Sequence, residues 1–292
     1  MTLSPRTLPL PTTVPFMSEE AINHLVTQAV PLLPEVKPTG RPRAWSNEDV
    51  VFLALYSIRS GIDATDIATR EGWSVRTTQD WIKAGKDALD QVQPVLPDGS
   101  VIADREHVLD WCAQHGQSAL VDGTEFGVEH PESKTNPYGD KQKEQFSGKK
   151  KTHTLKVQAI SDEDGNLLDI CAAVGGSVHD YKLLERSGWI PEFAKRPEVT
   201  VGGDSAYVGL NKVLETVLTP RKKKPNQERS DEDKLWNLVV ARWRVSVEHA
   251  IGKLKRFKSL RKVKLHAKRT AQAIGIAFLL VTYQQAWPKE GK

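Results

Sequence analysis

The chain has 292 residues, with 41 Lys or Arg against 37 Asp or Glu and a formal charge of +4. Its two cysteines, Cys112 and Cys171, form neither a metal-binding spacing nor a disulfide framework, and this composition fits a reduced cytoplasmic compartment. No apolar run reaches membrane-spanning length: the best, over 273–282, is about ten residues and reads as a buried helix, and the N-terminus lacks a signal pattern, so no membrane partner is expected.

Residues 1–43 are rich in Pro and Thr and are expected to be a flexible arm. Within them, 18–29 can make a short amphipathic helix capped by Ser18. A helix is expected over 45–60. Ser46 is its N-cap, Asp49 closes a capping box, and Gly61 ends it. Two more helices are expected over 63–70 and 74–89, joined by a turn containing Gly72. The module 44–92 resembles a helix-turn-helix. Ala68 suits the tight helix crossing and Gly72 the turn, while Thr78 stands where many such motifs carry an aliphatic residue. In that reading 74–83 enters a major groove. Arg76, Thr77, Gln79 and Lys83 are then the candidates for base and phosphate contact. The alternative is a three-helix bundle without a ligand.

After a polar joint and a helix over 105–114, the pattern changes. Strands are expected over 118–128, 152–160 and 167–174, then a helix over 177–187 and a short buried strand over 199–204. A further helix (212–216) and strand (217–219) precede the basic run 221–224. Strands first, then strand–helix alternation, predict an α/β domain: a mixed sheet flanked by helices.

The stretch 235–264 carries apolar residues at Trp236, Val240, Trp243, Val247, Ala250, Ile251, Leu254 and Phe257, a single helical stripe. From 242 to 269 there are eleven Lys or Arg and one acid, Glu248. Glu248 can simply pair with Arg244 or Lys253 along the helix, worth ~0.3–0.5 kcal/mol. Asp122 sits in the first core strand, where Asp122-Gly123 is also a hairpin signal. Asp204 ends a later strand, where it could also cap the next helix. If the two strands are neighbours and the helix packs over them, three carboxylates converge. Hard oxygen ligands of that kind hold Mg2+ or Mn2+.

At this point the sequence resembles the DDE-type transposases of bacterial insertion sequences, in the group known as the insertion sequence 5 family. The matching residues are Val121-Asp122-Gly123-Thr124, then Gly203-Asp204-Ser205-Ala206-Tyr207, and the block of Arg244, Glu248 and Lys255. The stretches from Phe146 to Thr154 and from Gly176 to Asp180 also look familial, and the likeness covers about 44–285. One departure is Ala241, where the family block usually carries Tyr.

The resemblance implies a ribonuclease H-like catalytic domain over 105–285, behind a DNA-binding domain over 44–92. It implies two divalent ions, Mg2+ or Mn2+, held by Asp122, Asp204 and Glu248. It implies cleavage and strand transfer at the element's own terminal inverted repeats, into target DNA, by a homo-oligomer on double-stranded DNA associated with the bacterial nucleoid. Arg244, Lys255 and the run Lys149, Lys150 and Lys151 would contact DNA, and 221–224 would line its path. Asp180 either closes a capping box from Ser177 or acts behind the metal ligands. His179 reads as structural or as a DNA contact. Two other readings compete: a domesticated DNA-binding protein that has lost cleavage, and a metal-dependent phosphohydrolase using His179-Asp180, for which further His ligands cannot be assembled.

Overall fold

A computed structural model describes residues 17–35, 45–131, 142–223, 228–261 and 265–289. Most of the arm, Lys224 of the basic run, and Lys264 lie outside the described residues. In chain order the helices and strands are α1 (Glu19–Ala29), α2 (Asn47–Ser60), α3 (Ala64–Glu71), α4 (Val75–Leu89), α5 (Arg105–Gln114), β1 (Ala119–Gly127), α6 (Gln142–Gln145), β2 (Phe146–Ser147), β3 (Thr152–Ser161), β4 (Leu167–Ile170), β5 (Val174–Gly175), α7 (Asp180–Ser187), α8 (Trp189–Ala194), β6 (Val201–Gly203), β7 (Val217–Leu218), α9 (Asp231–Leu254) and α10 (Ala267–Ala286). Short 3-10 turns cover Ser205–Lys212 and Lys258–Leu260. Among the described residues, no helix is long and apolar enough to cross a membrane.

The chain divides into two compact units. One comprises 1–100, 255–263 and 272–292, and the other 101–254 and 264–271.

In the first unit the caps follow the sequence. The Ser18 side chain accepts from Ala21 N. Ser46 and Asp49 form a reciprocal capping box on α2, and Gly61 ends that helix at φ 66, a left-handed conformation that costs glycine little. Gly72 does the same after α3 at φ 70. Leu53, Ile67 and Ile82 bring α2, α3 and α4 together, with Trp45, Trp73 and Trp81 packed around them. Thr78 is fully buried, and its hydroxyl is satisfied by donating to Ser74 O at 3.0 Å. A hydroxyl therefore serves where an aliphatic residue was expected.

In the second unit the described strands form one seven-stranded mixed sheet, ordered β2-β3-β1-β6-β7, with β4 and β5 also on β3. β1 and β3 are antiparallel, whereas β1 and β6, and β6 and β7, are parallel. The two faces can be told apart from successive glycines of β6. A Cβ at Gly202 would lie 3.9 Å from Trp243 of α9, while one at Gly203 would lie 2.8 Å from Tyr207 of the Ser205–Lys212 turn. Side chains alternate along a strand. So α9 covers one face, and that turn covers the other, where α7 also packs on β3. Val240, Val247, Ala250, Ile251 and Leu254 form the buried stripe of α9. Trp236 and Trp243, expected in that stripe, are only half-buried.

Asp122 and Gly123 lie inside β1, opposite Ala159 and Gln158, as the strand expected over 118–128 has them and not in the alternative hairpin turn. Several expectations need correction. The strand expected over 167–174 is two short strands. No helix forms over 212–216: Lys212 ends the 3-10 turn Ser205–Lys212, and 213–216 are non-helical chain leading to β7. α7 begins at Asp180, not Ser177, and its cap is His179, whose ring nitrogen accepts from Tyr181 N. The Ser177 hydroxyl is spent elsewhere, donating to Glu144 O at 2.7 Å.

Candidate active site

Asp122 occupies the middle of β1. It shares the strand face of Leu120, which a Cβ at Gly202 would touch at 2.6 Å, so Asp122 points to the face that α9 covers. One step before it, Val121 stands opposite Gly203 in the parallel ladder. Asp204 is the next residue on the neighbouring strand. The two acids therefore leave the parallel ladder side by side, Asp122 within β1 and Asp204 just beyond the carboxyl end of β6. Asp122 Oδ1 accepts from Gly123 N at 2.8 Å. Asp204 Oδ1 accepts from Ala206 N at 2.8 Å, capping the 3-10 turn. The capping role expected as an alternative for Asp204 is thus present, and it coexists with the position beside Asp122.

Burial, above all, pushes the Asp122 carboxyl up to about 6. The carboxylates of Asp204 and Asp180 push the same way, while the Gly123 N–H and the Arg244 guanidinium oppose them. Three acids and one arginine thus share a field around Asp122.

Asp180 reaches this place from the opposite face. A Cβ on Gly123 would fall 2.6 Å from its Oδ1, so only glycine lets the two approach. Lys156 holds Asp180 there. Its Nζ lies 2.9 Å from Asp180 Oδ1 and 3.6 Å from Glu125 Oε1, and it donates to Val178 O at 2.7 Å. Glu125 also accepts from Thr154 Oγ1 at 3.0 Å. Lys156 and Glu125 are both about nine-tenths buried and stand opposite each other in the ladder. Sequence reasoning passed over Lys156. The signal was the one Lys, Arg, Asp or Glu within the strand 152–161.

Glu248 lies on α9, next to buried Val247, with an exposed side chain. Its Oε1 is 3.1 Å from Arg244 Nη2, the intrahelical pair that was the plainer expectation. Arg244 is the common neighbour, since it also acts on Asp122. Among the described residues no group of three or more His, Cys, Asp or Glu stands close enough to hold a metal ion. Asp122 and Asp204 are brought together, and Glu248 stays in its ion pair.

The other expected residues are placed as follows. Arg76, Gln79 and Lys83 are exposed on α4 and Thr77 half-buried. Arg76 pairs with Asp80 at 3.6 Å, and Lys83 with Asp87. Lys149, Lys150 and Lys151 are exposed in the β2–β3 turn, where Lys150 Nζ donates to Glu125 O at 2.9 Å. Arg221 is tied to Glu232 and Asp233 and lies over the Trp236 ring. Lys255 is exposed just beyond α9, and Ala241 is exposed on it.

Comparison with known proteins adds the family. The model of the DDE superfamily endonuclease matches residues 121–282. The chain belongs to that superfamily. The matched region opens one residue before Asp122 and takes in Asp180, Asp204 and Glu248. The chain is also 33% identical over 142 residues to "Probable transposase for insertion sequence element IS702" of Microchaete diplosiphon, across 48% of this chain and 47% of that protein. It thus spans about half the length of the curated relative it matches. No solved structure matches the chain. The mixed sheet flanked by helices fits a DDE nuclease.

Proposed function

We propose that this DDE superfamily chain is a transposase of the insertion sequence 5 type, which binds the terminal inverted repeats of its own element and carries out metal-dependent strand cleavage and strand transfer. The observation that carries the reading is the placement of Asp122 and Asp204 on adjacent strands, each one residue beyond the parallel pair Val121 and Gly203. Nothing in the folding of a sheet requires two acids there. Mutual repulsion and burial raise the energy of the ionised pair, and a hard divalent cation relieves both. The donor set therefore fits Mg2+ or Mn2+. Asp122 and Asp204 would hold it, and Glu248 would complete the set by leaving Arg244. In such sites the metal supplies an activated water or 3′-hydroxyl and stabilises the departing phosphodiester oxygen.

The protein's own groups do the rest. Arg244 offsets the negative field and, once parted from Glu248, can meet a phosphate. Lys156 fixes Asp180 behind Asp122. In this reading the core is ribonuclease H-like, with the catalytic domain within 105–285. The DNA-binding domain is 44–92, with α3 and α4 as a helix-turn-helix presenting Arg76, Thr77, Gln79 and Lys83. Lys149, Lys150, Lys151 and Lys255 track the DNA backbone.

A second reading, a DNA-binding protein without cleavage, draws on one observation: the Glu248 carboxylate is occupied by Arg244. The test is a cleavage assay on DNA carrying an element end, with Mg2+ or Mn2+ and with chelator. Metal-dependent nicking that disappears in Asp122→Asn and Asp204→Asn supports the transposase. Binding to the ends without metal-dependent nicking in the wild type supports the second reading.

A further inference from the structure

The turn that follows α9 carries an arrangement that the acidic site does not use. Arg261 Nε donates to Lys255 O. Arg59, in the last turn of α2, donates its Nη1 to the next carbonyl, Arg256 O, at 2.5 Å. Two guanidinium groups from distant parts of the sequence thus sit on successive backbone carbonyls. Their positions are fixed by packing. The Arg59 head lies 5.9 Å from the centre of the Phe257 ring, and Phe257 is buried. Gly61, which ends α2, abuts the turn so closely that a Cβ would lie 3.0 Å from Lys258 C and Ser259 N. Arg256, Lys258 and Arg261 are exposed around this point. Among the described residues, Arg256, Lys258 and Arg261 make no ion pair with an acid.

We propose that Arg59, Arg256 and Arg261 form a phosphate clamp that grips the sugar-phosphate backbone of duplex DNA. Carbonyls hold the Arg59 and Arg261 heads but neutralise little charge. The Arg261 guanidinium has five N–H donors in a planar fork, and the Lys255 carbonyl engages one of them. The exposed forks of Arg256 and Arg261 match phosphate oxygens in shape and charge, with half-buried Arg59 beside them. Like charges gathered this closely repel one another. Burial first, and then Arg256 and Arg261, push the Arg59 guanidinium below its ordinary value. A polyanion that docks here removes that repulsion and releases its own counterions. The clamp reads no bases, so it adds affinity and orientation rather than sequence preference. The choice of DNA as the polyanion rests on the transposase reading above; the cation geometry does not.

The test uses the full chain and a labelled duplex of random sequence, with affinity followed by fluorescence anisotropy between about 50 and 200 mM salt. Arg256→Gln/Arg261→Gln removes two exposed cations and leaves Arg59 on Phe257. The slope of log affinity against log salt should shrink by about 1.8, at about 0.9 per phosphate, and affinity at about 100 mM salt should fall at least tenfold. Arg59→Lys keeps the charge but loses the fork, and should weaken binding with the slope nearly unchanged. Far-UV circular dichroism and a thermal melt confirm that each variant is folded; if Arg59→Lys is not, the double variant decides alone. A wild-type affinity and slope in the double variant overturns the clamp and leaves the transposase reading standing. A wild-type chain that binds no duplex overturns both.

Discussion

Asp122 and Asp204 stand one residue beyond the point where Val121 and Gly203 face each other across parallel strands. A barely exposed strand and a three-residue strand thus deliver two carboxylates to one place. The cost of that placement is visible in Asp122, pushed up to about 6 by burial and by its acidic neighbours. A carboxyl raised in the folded state penalises the fold once it ionises. The penalty is absent below the unfolded value, near 4, and grows as pH rises toward 6. In chelator, Asp122→Asn should therefore match the wild type at about pH 4 and be the more stable protein at about pH 8, by at most about 3 kcal/mol. Denaturant melts at the two pH values measure this. A variant less stable than the wild type at both would mean that the carboxylate serves the fold.

Glu248 separates the catalytic role from a mere surface pair. Its bond to Arg244 joins partners that are 37% and 54% exposed, and such pairs contribute ~0.3–0.5 kcal/mol. Glu248→Gln should shift the melting midpoint hardly at all. Its metal-dependent cleavage should nevertheless fall by more than the roughly 10–100-fold typical of losing a group behind a ligand. Unchanged cleavage in a folded Glu248→Gln would assign the residue to the helix surface.

What the sequence disclosed was local. Ser46, Asp49, Gly61 and Gly72 act within a few residues of themselves, and their caps form as read. The α9 stripe was legible because its buried residues recur every three or four positions. What escaped was decided by pairing between distant segments. Glu125 meets Lys156 only through the register of β1 on β3. Ser177 carries the signature of a cap, yet its hydroxyl prefers Glu144 O from another segment, so His179 takes the cap. Asp122-Gly123 has the composition of a turn, yet it lies inside the strand expected over 118–128, paired with β3. There Gly123 serves to admit Asp180.

Base recognition by α4 predicts a separable effect. Arg76 and Gln79 are exposed, and the Arg76 side chain, 86% exposed, pairs with Asp80 at 3.6 Å. A surface pair of this kind opens readily to a base edge. Arg76→Ala/Gln79→Ala should lose discrimination between element-end and random DNA, by ~1–3 kcal/mol for each lost base contact, with nonspecific affinity less affected. Competition gel shifts compare the two probes. An undiminished preference for the ends would move recognition off α4.

Lys156 tests whether Asp180 is held in place or merely tolerated. The ammonium is about nine-tenths buried between Glu125 and Asp180, and removing one partner of a buried pair costs about 3–5 kcal/mol, because the other charge is left uncompensated. Asp180 is about one-third exposed, so water screens part of its share and the lower end of that range applies. Lys156→Met should destabilise the chain accordingly. Lys156→Met/Asp180→Asn should recover part of the loss, since one of the stranded charges is gone, and Glu125 keeps its Thr154 hydroxyl. The double-mutant cycle, read by urea melts in chelator, gives the coupling directly. A coupling near zero would mean that Lys156 serves Glu125 alone, and that Asp180 stays beside Gly123 by its position at the start of α7.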